Sequence, residues 1–109
     1  LHHPPFNCGI GFMDDIGLTN REELRHLLAE HTGCLRIVCG HIHNMMVSDV
    51  AGHIAISGPS PASTFAFDQR TDAPVGYMTQ EDGCLLHRWD AGFQSIRIGP
   101  LAGSGPFPF

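Results

Sequence analysis

The stretch CLRIVCGHIHNMMVSDVAGHIAIS, Cys34 to Ser57, carries most of what the sequence says about the fold. Its opening run, with Ile37 and Val38 at the centre, has the composition of a buried strand. Gly40 breaks that run and permits the backbone to turn tightly. MMVSDV (45–50) and HIAIS (53–57) then flank Ala51-Gly52, which predicts a β-hairpin. Between strand and hairpin stand His41 and His43. In an extended segment residues i and i+2 point the same way, so both imidazoles are expected to reach one site. Taken alone, the pair fits two surface histidines on a turn as well.

Upstream of this stretch, NREELRHLLAEHTG (20–33) predicts a helix. Asn20 is the expected cap, with Glu23 completing a capping box. Leu24, Leu27 and Leu28 make an apolar stripe, and Gly33 is placed to close the end in a left-handed conformation. Residues 1–19 read as a strand end and a long loop, broken by Pro4, Pro5, Gly9, Gly11 and Asp14-Asp15. Downstream, STFAFD (63–68) alternates apolar and polar residues. CLLHRWD (84–90) and FQSIRI (93–98) flank Ala91-Gly92 as a second hairpin. The Gly/Pro-rich tail, 99–109, reads as extended along a surface or a partner. The class is α+β, one main helix with about five or six mostly antiparallel strands.

The chain has 109 residues, 42% hydrophobic, enough for one domain with a real core. Its charge is −5, and all six basic residues are arginines. With no basic run, binding to a nucleic-acid polymer is not expected. If phosphate chemistry occurs, its positive charge must come from something other than side chains, and a metal ion fits. The four cysteines form no CxxC pair and no disulfide spacing, which suits a reducing cytoplasm. No apolar run of about 18 residues offers a membrane span, and no signal peptide is recognisable. The chain opens without Met and directly on a dense motif, LHHPPF, and reads as a piece of something longer.

In that motif the residue before proline is pushed towards extended structure, and two prolines stiffen the exit. This is a means of aiming a ligand at a fixed point. LHHPPF, the glycine-containing loop with MDD, the capped helix, the buried strand and then CGHIH resemble, in order and spacing, the calcineurin-like metallophosphoesterase superfamily. The likeness is to its bacterial cyclic-nucleotide and glycerophosphodiester phosphodiesterase branch. It covers the whole chain, more weakly in the last third.

The resemblance implies a binuclear centre of divalent or trivalent metal ions (Fe, Mn, Zn or Co), with His2, His41 and His43 as ligands. His3 would have a supporting role, and so would Gly40. Two cations a few Å apart can bind both oxygens of an in-line displacement at phosphorus. The fold it implies is the C-terminal half of an αββα sandwich, within a single phosphoesterase domain of which 1–109 is the C-terminal part. The substrate would be a small phosphodiester, a cyclic nucleotide or a glycerophosphodiester. The chain departs from the family in lacking the DxH, GD and GNH[DE] motifs, and Asp14, Asp15 and Asp49 do not replace them. No catalytic residue is therefore assigned, and the chain alone is expected to be inactive. A half-sandwich leaves an apolar face and an edge open, so self-association is also expected.

The alternative is a non-enzymatic metal-binding or interaction module. A zinc site built from Cys34, Cys39, His41 and His43 has suitable ligand types, but Cys39 should face away from His41. His53 and His87 fit hydrogen-bonded structural roles, and His31 favours a helix C-terminus. Ser57, Ser60 and Ser63 lack a nucleophile arrangement. The loop 6–17, with Phe6, Phe12 and Met13, fits a substrate-entrance wall and an oligomer contact equally.

Overall fold

The computed structural model describes residues 1–33, 35–79, 83–99, 104 and 108. In chain order stand α1 (Gly11–Asp15), α2 (Arg21–Ala29), β1 (Arg36–Cys39), β2 (Met46–Val50), β3 (His53–Ser57), β4 (Thr64–Phe65), β5 (Tyr77–Met78), β6 (Cys84–Trp89) and β7 (Phe93–Ile98). The α+β class holds. The short α1 is added inside the expected loop, and seven described strands, two of them only two residues long, stand where five or six were expected. The tail's expected extended course, and Cys34, fall outside the described residues apart from Gly99, Ser104 and Pro108.

β3 is the centre of the main sheet, parallel to β1 on one side and antiparallel to β2 on the other. The β2–β3 hairpin turns where the sequence places it, on Ala51 (φ 54) and Gly52 (φ 83), the left-handed pair that matches strand twist. Asp49 Oδ1 accepts the Gly52 N–H at 3.1 Å. β6 and β7 form the second expected hairpin, with Ala91 left-handed at φ 52. β4 and β5 pair antiparallel.

Alternation sorts the main sheet into two faces. Val50 and Ala55 are fully buried and join Phe6, Cys8, Ile10, Met13 and Ile42 in the core. Leu28, Ile37, Cys39, Met46 and Phe65 pack around it. The opposite face is more open: Val38, Val47 and Ile54 are exposed, while Ile56 beside them is buried. Arg36 reaches from this face over the Phe93 ring at 5.4 Å. The expected burial of β1 is therefore incomplete. It is an edge strand among the described residues, and only its core-facing side is covered.

The helix prediction holds in position and fails in detail. Asn20 makes no side-chain cap bond; its carbonyl accepts the Leu24 N–H at 3.2 Å. Glu22 and Glu23 still favour the helix start through the dipole. Gly33 is not left-handed, and the last turn closes by the His31 N–H to the Leu28 carbonyl. Leu24 and Leu28, one turn apart, face inward, whereas Leu27 points outward at 67% exposure. Conversely Phe6 and Met13, from the supposed loop, are core residues. Met13→Ala is expected to cost about 2–5 kcal/mol, and Leu27→Ala less than about 0.5 kcal/mol. Urea melts of the two variants check this, and similar losses at both positions would contradict it.

Candidate metal centre

The amino end lies alongside β1. The Leu1 nitrogen donates to the Val38 carbonyl at 3.0 Å, and the Gly40 N–H donates to the His2 carbonyl at 2.9 Å. Pro4 and Pro5 are buried, so the rigid exit from HHPP is anchored in the body of the protein. These contacts carry His2 and His3 to the end of β1, beside His41. Ligand-capable atoms of His2, His3 and His41 all lie within 4.8 Å of one another. Their ring centroids stand 4.9, 5.1 and 4.4 Å apart, pair by pair. His3, read as a supporting residue, is a full member of this cluster.

The turn after β1 differs from the expected one. Gly40 keeps an ordinary backbone, and a Cβ there would meet His2 only at 4.0 Å. The unusual conformations belong to His41 (φ 69) and His43 (φ 51). The Ile42 N–H bonds to the Gly40 carbonyl at 2.8 Å around His41, as in the rarer, strained form of the γ-turn. Left-handed non-glycine residues cost on the order of 1–3 kcal/mol each and gather at functional sites. The segment is thus not extended, and the equal orientation expected of positions 41 and 43 does not apply. His43 lies outside the three-histidine cluster. Its Nδ1 is 3.1 Å from Ser63 Oγ, and its ring packs against Phe65 at 4.8 Å. It is close enough for its charge to act on His41.

His41 Nε2 is buried and has no hydrogen-bond partner among the described residues. Burial first, then the neighbouring charges of His3, His2 and His43, hold His41 below the ordinary imidazole range. A buried, neutral, unpartnered ring nitrogen is costly as it stands, and it has the electronic form in which histidine binds a metal. The donor set and the orphaned nitrogen both fit a cation. It is the one group of three or more such side chains found among the described residues.

The other candidates have structural partners. Burial pushes the Cys39 thiol up to about 11, and Sγ donates to the Ile56 carbonyl at 3.5 Å, against the zinc arrangement. His53 Nε2 donates to the Leu28 carbonyl at 2.9 Å, and His87 Nδ1 pairs with Ser95 Oγ at 2.9 Å. Asp14 accepts the Cys8 and Gly9 N–H groups at 2.8 and 2.9 Å. Phe12, exposed, borders a cavity of about 130 Å³ between α1 and residues 65–76. Ser57 and Ser63, weighed in the sequence only as nucleophiles, are hydrogen-bond partners of the histidine loop. Their signal was position: Ser57 ends β3, and Ser60, Ser63 and Thr64 follow within seven residues.

No protein-family model matches the chain. Curated relatives do. A probable glycerophosphodiester phosphodiesterase of Arcobacter nitrofigilis is 32% identical over 114 aligned positions, covering all of this chain and 41% of the relative. The 3',5'-cyclic adenosine monophosphate phosphodiesterase of Escherichia coli K12 is 35% identical over 99 positions, 81% of this chain and 36% of the relative. The chain belongs to the bacterial cyclic-nucleotide and glycerophosphodiester phosphodiesterase branch. A glycerophosphodiester phosphodiesterase of Enterobacter lignolyticus agrees at 28% identity over 81% of the chain. The chain spans well under half the length of these relatives.

Thiol chemistry tests the packing around the site. In a Cys34→Ser background at pH 8, exposed Cys84 should react with a disulfide reagent within seconds. Cys8 and Cys39, both raised by burial, should react only after denaturant is added. Rapid native-state labelling of Cys39 would show that β1 is packed otherwise.

Proposed function

We propose that this chain contributes imidazole ligands to the binuclear metal centre of a phosphodiester hydrolase acting on a cyclic nucleotide or glycerophosphodiester. The observation that carries the reading is the convergence of His2, His3 and His41, with His41 Nε2 buried and unpartnered among the described residues. Membership of the phosphodiesterase branch agrees with it. On this reading the chain is the C-terminal part of one phosphoesterase domain. The metals, Fe, Mn, Zn or Co, would offset the charge of the phosphodiester, which an acidic chain cannot do with side chains.

This chain's own residues hold and orient donors. His41 presents a ring nitrogen held below the ordinary imidazole range, with His2 and His3 beside it. His43 Nδ1 lies 3.1 Å from Ser63 Oγ; with Nδ1–H donating to that hydroxyl, Nε2 would carry the lone pair for a cation, the usual arrangement for a ligating histidine. The setting is cytoplasmic on this reading; no helix among the described residues is long and apolar enough to cross a membrane. The exposed apolar residues Val38, Val47 and Ile54 on one sheet face favour a homo-oligomer.

Cobalt(II) titration of the 109-residue chain should show saturable uptake, lost in His41→Ala and weakened about 10- to 100-fold in Ser63→Ala. Uptake unchanged by His41→Ala would remove the basis of the proposal. The same chain should not hydrolyse bis(p-nitrophenyl) phosphate, whereas the parent polypeptide with metal should. Metal uptake without hydrolysis by the parent would favour the non-enzymatic module.

A further inference from the structure

Asn44 directly follows the two left-handed histidines, and its side chain joins both banks of their loop. Nδ2 donates to the Ile42 carbonyl at 3.0 Å and to the Phe65 carbonyl at 3.3 Å. Thr64 Oγ1 lies 3.4 Å from Asn44 Oδ1 and 3.3 Å from the His43 carbonyl, so its one proton is shared between them. The Asn44 carbonyl accepts from Ser57 Oγ at 2.7 Å, and that same oxygen accepts the Met46 N–H at 3.0 Å. Ser57 and Thr64 are buried at 0% and 4% exposure. Each carbonyl from Ile42 to Asn44 is therefore met by a side chain: Asn44, Thr64 and Ser57 in turn.

A loop of this kind has two reasons to relax. Two of its residues sit in a disfavoured region, and none of its three carbonyls is held by the strand ladder. Relaxation is opposed because it would strand buried polar groups, which costs more than the net worth of each bond. The polar frame and the strained backbone thus sustain each other. Asn44 is its centre: its side chain bonds both the Phe65 carbonyl of β4 and the Ile42 carbonyl of the histidine turn.

We propose that Asn44 is a positioning residue: it holds the His41–His43 turn in its left-handed form, and so sets where the His41 imidazole meets His2 and His3. Thr64 is its accessory. The consequence for metal binding rests on the metal-centre reading above; the geometric consequence does not.

The test uses the full chain with two variants. Asn44→Asp keeps size but replaces both donors with an oxygen facing two carbonyls, and Thr64→Val removes the hydroxyl at nearly constant shape. The first readout is the three-bond HN–Hα coupling of His41 and His43 by NMR without metal, taken with the strong intraresidue HN–Hα NOE that distinguishes a positive from a negative φ. The second is cobalt(II) affinity by absorption titration. Both variants should move the couplings off the wild-type left-handed values and weaken cobalt binding about 10- to 100-fold. Val50→Ala, a fully buried residue at the opposite end of β2, should lower the melting temperature and leave both readouts alone. Wild-type couplings in the variants would overturn the proposal. So would an equal loss of cobalt affinity in Val50→Ala. If Asn44→Asp fails to fold, Thr64→Val decides. Failure of the wild type to take up cobalt would count against the metal-centre reading instead, and the couplings would still judge the positioning role.

Discussion

The burial of Ile42 is the constraint on which the site depends. At 1% exposure it is the largest of the fully buried side chains, and it sits between His41 and His43. Burying an isoleucine contributes about 1.5–3 kcal/mol, comparable to the strain of one left-handed histidine. The second strained residue is offset by the bonds that Asn44 and Thr64 make to the loop carbonyls, each worth roughly 0.5–1.5 kcal/mol net. The core takes the aliphatic residue and leaves the two imidazoles to the rim. A histidine pair alone would not do this, because nothing would oppose rotation of the turn.

The second requirement is to bring residues from the two ends of this segment together. His2 and His41 are far apart in sequence and are joined by the Gly40 N–H bond to the His2 carbonyl. The leading residues run beside β1, and the two prolines after them are buried. The cluster therefore forms where β1 ends and opens into a loop. Crevices outside the carboxyl ends of strands are where α/β sheets most often place ligands, because loop ends there are free to carry function while the strands hold them still. Here the sheet supplies rigidity through β3, which is paired on both sides.

Much of the fold was legible because its signals are local. Ala51-Gly52 and Ala91-Gly92 announced hairpins, and both pairs sit at turns. Leu24 and Leu28 announced a helix face, and they pack inward. What was not legible depends on contacts distant in sequence. Leu27 belongs to the same stripe by periodicity, yet the neighbour it would need is not on that side. Asn20 and Glu23 spell a capping box, but the backbone at Asn20 is not extended and the side chain makes no bond. In the site, His2 and His41 were both singled out by their motifs. The equal orientation read for His41 and His43 assumed an extended backbone; the left-handed turn comes from the burial of Ile42 and from Asn44, neither visible as a motif. Glycine is the usual sign of an unusual backbone; at this turn the histidines themselves carry it.

Ser57 has a double attachment with a wider consequence. It closes the last rung of the β2–β3 ladder opposite Met46 and, through its hydroxyl, supports Asn44. Because side chains alternate between faces, a one-residue shift of that ladder would turn Val50 out, bring Asp49 in and carry the hydroxyl away. Hairpin alignment and histidine-loop shape are thus inherited together. Lengthening the Ala51-Gly52 connection, some five residues distant along the strand, would detune the imidazole cluster without touching it.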